Sequence, residues 1–316
     1  MELRLDIRSA ELLQRRLEDV VRGSGPVLGP VLLPIVRRPA KRLRPALLLA
    51  MAGDRRDRAA IGCAAAVELL HLSSLIHDDL MDEAPQRGGT RSVHVTHGAG
   101  MAIVAGDLLV AEAISALGEV DPGCAADGLR AYAGMCRGQA GEVDAQGRFI
   151  GVDEHLDILA GKTGALLAAS CSIGARLAGT PSGPAARFGE SVGVLFQIVD
   201  DLLDLCATAA QAGKPVGQDL ANGVYTLPAL LAARHHGTAF TGELDRGDLD
   251  AAREMAADGA ILGEVLQYAR RCAAAAEESL RELPARPGLS ALAGELLERA
   301  TMIRAAARRA TVPVPR

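Results

Sequence analysis

The sequence predicts an all-α fold, and three observations carry that expectation. Of its 316 residues 49% are hydrophobic, yet aromatics make up only 2% and Trp is absent, so alanine and leucine, both strong helix formers, dominate. Apolar runs of helical length are separated by Gly, Pro and Asp clusters such as Asp121-Pro122-Gly123 and the stretch 179–183. No segment of useful length alternates apolar and polar residues, so no sheet is expected.

In order, residues 1–22 read as an amphipathic helix, followed by a Gly/Pro-rich break at 23–34. The basic stretch Arg37-Arg38-Pro39-Ala40-Lys41-Arg42-Leu43-Arg44-Pro45 then opens an apolar helix. Further helices are expected at about 57–82, 98–118, 122–146, 153–179, 182–206, 222–235, 248–257, 259–282 and 289–309. Residues 311–316 read as a frayed tail. No linker-like stretch divides the chain, so 1–316 is expected to form a single domain.

The charge balance excludes some functions. A net charge of −5, with no long basic block and few aromatics to stack on bases, argues against nucleic-acid binding. The six cysteines include no C-x-x-C pair, which points to free thiols and a cytoplasmic protein. The N-terminus scatters charges unlike a signal peptide, and no uncharged apolar stretch of about eighteen residues suggests a membrane-spanning segment.

One motif occurs twice: Asp78-Asp79-Leu80-Met81-Asp82 and Asp200-Asp201-Leu202-Leu203-Asp204. Residues four apart lie nearly above one another on a helix, so Asp78 shares a face with Asp82, and Asp200 with Asp204. Both stripes extend backwards, through His71 and Ser74 in the first helix and through Gly193 and Gln197 in the second. Clustered carboxylates in apolar surroundings are unfavourable unless neutralised, and hard oxygen donors suit Mg²⁺ completed by substrate phosphates. A solvated helix end is the plain reading of one such motif; two copies, each closing an apolar run, favour a metal–diphosphate site.

These motifs resemble those of the trans-isoprenyl diphosphate synthases, the polyprenyl synthetase family, with geranylgeranyl and longer polyprenyl diphosphate synthases as its likeness. The string from Glu68 to Asp79 is similar to the family's first aspartate-rich helix, and Phe196 to Asp204 to the second. Gly138-Gln139, Lys162-Thr163, the run from Gly213 to Leu220, and Thr226-Leu227-Pro228 match in order. The resemblance implies mostly antiparallel helices around a deep central cavity, and a homodimer. It implies condensation of an allylic diphosphate (dimethylallyl, geranyl or farnesyl) with isopentenyl diphosphate.

By that resemblance Asp78, Asp79, Asp82, Asp200, Asp201 and Asp204 would hold Mg²⁺, three ions bridged by the diphosphate. Arg87, Lys162 and Lys214 would bind the leaving diphosphate, while Thr163 and Gln197 would face the allylic cation. Lys41, Arg44 and His71 match the diphosphate site for isopentenyl diphosphate. Asp107, Gln139 and Glu142 read as supporting partners. Ser73 and Ser74 stand where a bulky family residue would stop the chain at fifteen carbons, so a C20 or longer product is expected, with Leu70 or Val67 as its floor.

Three departures qualify the match. Pro39-Ala40 replaces two glycines, Gly88 replaces the second of two adjacent arginines, and Val224 replaces a lysine after Gly223. Gly88 removes a cation expected at the isopentenyl site, and Gly88→Arg is expected to restore it if the loop tolerates a side chain. Ionisation of the donor is therefore better supported than the acceptor's identity. The competing readings are a terpene cyclase or unusual-acceptor prenyltransferase on the same fold, and a non-catalytic regulatory subunit.

Overall fold

The computed structural model describes residues 3–53, 55–206 and 217–310. Lys214 and the tail at 311–316 lie outside the described residues. The chain enters through α1 (Ile7–Gly23), α2 (Gly25–Val36), α3 (Leu43–Met51) and α4 (Arg58–Met81), then a ribbon of β1 (Gln86–Arg87) and β2 (Thr90–Arg91). It continues with α5 (Val93–His97), α6 (Ala99–Val120), α7 (Pro122–Ala145), α8 (Val152–Leu159), a π-helical turn (Ala160–Gly164), α9 (Ala165–Ala178) and α10 (Ser182–Cys206). After the undescribed stretch come α11 (Gln218–Ala221), α12 (Leu227–His236), α13 (Thr238–Arg246), α14 (Leu249–Ala256), α15 (Gly259–Arg281) and α16 (Pro287–Ala310).

The all-α expectation holds, with local corrections. The Gly/Pro-rich break is largely a helix, α2, although it contains Pro26, Pro30 and Pro34. Those prolines recur every four residues and are all exposed, whereas Val31, Leu32, Ile35 and Val36 are buried. Carbonyls that lose a backbone donor to proline therefore lie on the solvent side, where water can replace it. The expectation of no sheet misses the two-residue ribbon, which pairs Gln86 with Arg91 and Arg87 with Thr90. Its turn is Gly88-Gly89, both at positive φ, the geometry that tight antiparallel hairpins require. The helix expected from 222 begins only at Leu227, and α5 and α13 were not anticipated.

The membrane expectation concerned uncharged stretches, and helices that carry up to two charges within the apolar window fall outside it. Three helical stretches, Arg58–Met81, Ala99–Val120 and Val152–Ala178, are long and apolar enough to span a bilayer by length and composition. The first and third owe their apolarity to the interior, with 72% and 67% of the apolar window buried. For α6 only 33% is buried, so an apolar face remains uncovered.

Two apolar cores flank the middle of the fold. One gathers α1, α2, α4, α6 and α7, and the other gathers α10, α12, α14, α15 and α16. The helices α3 and α9 serve both: Leu48, Leu49, Leu166 and Ile173 enter the first core, and Leu47, Met51, Leu167 and Cys171 the second. Apolar side chains on two sides of one helix thus join the halves without a separate linker.

The helix that carries the first aspartate motif starts at Asp57, whose carboxylate accepts from the Ala60 amide at 2.9 Å and from Arg55 Nε at 2.8 Å. The amide bond, then Arg55, holds its pKa below the ordinary carboxylate value. A depressed folded-state pKa stabilises above the unfolded pKa and loses that contribution as pH falls through the folded one. Asp57→Ala should lower stability by about 1 kcal/mol at neutral pH, read from urea midpoints. The gap to the parent should narrow in acid, and an undiminished gap below pH 3 would refute the capping account.

Candidate active site

A cavity of about 1300 Å³ opens between the two cores. That exceeds the roughly 300–1,000 Å³ usual for small-molecule sites, as an elongated substrate requires. Helix α4 lines it with His71, Ser74, Asp78 and Asp82, and α10 with Gln197 and Asp200. The π turn contributes Lys162 and Thr163, the segment before α3 contributes Lys41, the first turn of α3 contributes Arg44, and β1 contributes Arg87. Residues dispersed from 41 to 200 in sequence therefore share one wall system.

Several sequence-derived residues do not line it. Asp79 is buried and accepts from Arg87 Nε at 2.5 Å and Ser92 Oγ at 3.2 Å. Asp201 is buried and accepts from Gln197 Nε2 at 2.9 Å, while Asp204 accepts from the Asp219 amide at 3.2 Å. An i+1 residue is turned about 100° from its neighbour on an α-helix, which carries Asp79 and Asp201 off the faces of Asp78 and Asp200. Ser73 is likewise fully buried, its hydroxyl 3.4 Å from Tyr132 Oη, and only Ser74 faces the cavity. Leu70 and Val67 are also off the lining; Tyr132 and Met135 of α7 are on it.

The π turn places Lys162 and Thr163. One extra residue in the turn re-aims side chains relative to an α-helix, a device common at functional sites. It packs so closely on α7 that a Cβ at Gly138 would stand 2.4 Å from the Lys162 amide nitrogen. Lys162 Nζ then reaches Glu142 Oε1 at 2.5 Å, and Thr163 Oγ1 donates to Gln197 Oε1 at 3.0 Å. With its Nε2 donated to Asp201, the Gln197 amide is held at both ends. Asp201 thereby orients a cavity residue from behind.

The other end of the cavity is cationic. Arg42 adopts a left-handed backbone at φ +52°, and its side chain donates to Glu68 Oε1 at 2.6 Å and Val36 O at 2.7 Å. Glu68 is buried, and among the described residues its Oε2 has no hydrogen-bond partner; neither do Arg44 Nε and His71 Nδ1. Burial, then the charges of Arg44, Arg87 and Arg42, pushes the His71 pKa well below its ordinary value. Burial also lowers that of Arg44, and Glu68 opposes the shift. Glu68 was missed in the sequence although it continues the stripe of His71, Ser74, Asp78 and Asp82 by three residues.

At the acidic end, burial raises the Asp78 pKa, Lys162 and Arg87 oppose it, and Asp82 and Glu142 add to it. Among the described residues no three acids, histidines or cysteines converge closely enough to hold a metal by themselves. Asp78, Asp82 and Asp200 line the cavity as hard oxygen donors, the donor type that suits Mg²⁺ when other oxygens complete its coordination.

Comparison with known proteins identifies the family. The profile named "Polyprenyl synthetase" matches residues 26–246. The chain belongs to the polyprenyl synthetase family. It is 37% identical over 204 residues to the "Short chain isoprenyl diphosphate synthase" of Methanocaldococcus jannaschii, covering 61% of this chain and 62% of that protein. It is 32% identical to the "Nonaprenyl diphosphate synthase" of Mycobacterium tuberculosis, over 89% of this chain and 88% of that one. A polyprenyl synthase from Caulobacter crescentus, solved with calcium and isoprenyl diphosphate, superposes with a TM-score of 0.82 at 27% identity, covering 94% of each chain.

Within this polyprenyl synthetase the Arg42–Glu68 pair shapes the cationic end, and both side chains are at least nine-tenths buried. Removing one partner of such a pair strands a charge, at a cost of about 3–5 kcal/mol. Glu68→Leu should lose that much stability in chemical denaturation, whereas Glu68→Leu with Arg42→Met should recover most of it. Equal losses in the single and double variants would show that the pair is not coupled.

Proposed function

We propose that the chain is a Mg²⁺-dependent trans-prenyltransferase that joins an allylic diphosphate to isopentenyl diphosphate. The observation that carries this reading is one large, partly apolar cavity bearing Asp78, Asp82 and Asp200 together with Lys41, Arg44, Arg87 and Lys162. Both kinds of charge are what a metal-bound donor diphosphate and a second, acceptor diphosphate need. The named relatives, synthases of short-chain and nonaprenyl diphosphates, support it.

On this reading Arg87 and Lys162 hold the allylic diphosphate, and Lys214 joins them. Bound Mg²⁺ supplies Lewis-acid stabilisation of the departing diphosphate. As the C–O bond breaks, the side-chain oxygens of Thr163 and Gln197 face the allylic cation, and their mutual hydrogen bond fixes their orientation. Lys41, Arg44 and His71 hold isopentenyl diphosphate so that its double bond attacks the cation. The released diphosphate accepts the proton lost from the new chain.

The product on this reading is C20 or longer, because small Ser74, rather than a bulky residue, faces the cavity one turn before Asp78. The floor moves from Leu70 and Val67 to α7, where Tyr132 and Met135 enter the lining. The working form is a homodimer. Val104 of α6 and Leu129 of α7, both off the cavity lining, are each 53% exposed, apolar side chains that a second copy would cover.

Asp78→Asn and Asp200→Asn should each lower turnover about a hundred-fold or more with unchanged helical circular dichroism, and EDTA should abolish activity until Mg²⁺ is restored. Full activity in chelator would end the metal-dependent reading. Incubation with isopentenyl diphosphate and each allylic donor in turn, with products identified by mass, tests the acceptor. Donor turnover without isopentenyl diphosphate would favour a cyclase instead.

Chain length has its own test. Ser74→Phe should shorten the product by projecting into the cavity. Ser73→Phe should instead destabilise the fold by about 1–3 kcal/mol through overpacking against α7. An unchanged product from Ser74→Phe would place the stop elsewhere.

A further inference from the structure

Thr163 and Gln197 come from different helical stretches, and each stretch carries a second polar residue behind the cavity wall. The stretch Val152–Ala178 carries both His155 and Thr163, and α10 carries both Gln197 and Asp201. Thr163 Oγ1 donates to Gln197 Oε1 at 3.0 Å, and Gln197 Nε2 donates to Asp201 Oδ1 at 2.9 Å. The other carboxyl oxygen, Asp201 Oδ2, faces His155 Nε2 at 4.0 Å, too long for a hydrogen bond. Two residues from each stretch thus form a ring that lacks a single bond.

Both atoms at that gap are orphans. His155 and Asp201 are 6% and 4% exposed, and among the described residues neither Nε2 nor Oδ2 has a hydrogen-bond partner. Buried polar atoms without partners are unfavourable, so two that face each other favour closing the gap. His155 also borders a small pocket with Glu142, Ile158 and Val224, so packing does not wedge its ring in place. The bond forms with either partner as donor: an imidazole N–H to a carboxylate, or a carboxylic O–H to a bare ring nitrogen.

The ring matters because the Gln197 amide has two unlike ends. As held, its oxygen meets Thr163 and its NH₂ meets Asp201. Turned over, it would offer N–H donors to an allylic cation that needs oxygen. Asp201 Oδ1 accepts from the NH₂, so the place of this carboxyl group decides which end of the amide enters the cavity. Its Oδ2 side is secured only if His155 closes on it.

Resting on the prenyl-transfer reading above, we propose that His155 is a positioning residue, closing the ring through Asp201 so that Gln197 keeps its oxygen towards the allylic cation. His155 is absent from the lining of the large cavity, so it acts through Asp201 and Gln197 rather than on substrate.

Positive charge develops on the allylic carbon only as the C–O bond breaks, so the effect belongs in kcat rather than in KM. His155→Leu should lower kcat, and the single-turnover rate with it, about ten- to a hundred-fold. The KM values for isopentenyl diphosphate and for the allylic donor should stay nearly unchanged. His155→Phe keeps a ring without nitrogens and should show the same loss, which serves if His155→Leu does not fold. His155→Gln restores a polar side chain and should recover most of the rate. In a Gln197→Leu background, His155→Leu should cost almost nothing further, because its route to the cation is already cut. Suppose the parent joins the two diphosphates, but both apolar variants keep its kcat, or raise either KM in proportion, or multiply the loss caused by Gln197→Leu. The role assigned to His155 is then wrong while the prenyl-transfer reading stands. A parent that consumes no allylic diphosphate with isopentenyl diphosphate overturns both.

Discussion

The site depends on keeping opposite charges from neutralising one another before substrate arrives. Carboxylates and guanidinium groups on one cavity of low dielectric attract strongly enough to collapse it if their side chains were free. They are not free. Arg87 is held by Asp79, Lys162 by Glu142, Arg42 by Glu68, and Gln197 by Asp201. Three of these acids, Asp79, Glu142 and Asp201, lie off the lining and restrain groups in front of them, while Glu68 holds Arg42 within the lining itself.

Packing supplies the other half of that restraint. Because α3 and α9 bury side chains in both cores, shifting either helix disturbs apolar contacts on two sides. Lys41 precedes α3 by two residues and Arg44 lies in its first turn, while the π turn carrying Lys162 and Thr163 leads directly into α9. The cavity-lining residues Lys41, Arg44, Lys162 and Thr163 are thus tied to the two helices that pack into both cores. Position is delivered by the cores, and charge is delivered by the ends of the helices they fix.

Much of this was legible in the sequence. Period and punctuation located most long helices, and the repeat of Asp-Asp-x-x-Asp at i and i+4 brought Asp78, Asp82 and Asp200 to one cavity. What the spacing could not reveal was what lies behind each acid. Asp204 shares Asp200's helical face yet meets the amide of Asp219, a contact made by tertiary folding alone. Ser73 and Ser74 look equivalent in sequence, but a single residue's rotation sends one to Tyr132 and the other to the cavity. The prolines of α2 read as breakers because propensity does not record which side of a helix faces water.

The π turn at Ala160–Gly164 interrupts what is otherwise one continuous helical stretch from Val152 to Ala178. A π turn holds one residue more than the α turn it replaces. Deleting any single residue there would let the ladder close as a regular α-helix, at little expense in backbone hydrogen bonds. The helix on one side would then be rotated by about 100° and shifted by about 1.5 Å relative to the other. His155, Ile158 and Leu159 could not keep their buried faces while Leu166, Leu167 and Cys171 kept theirs. This stretch consequently has a fixed length: it can exchange residues over evolution far more readily than it can lose one.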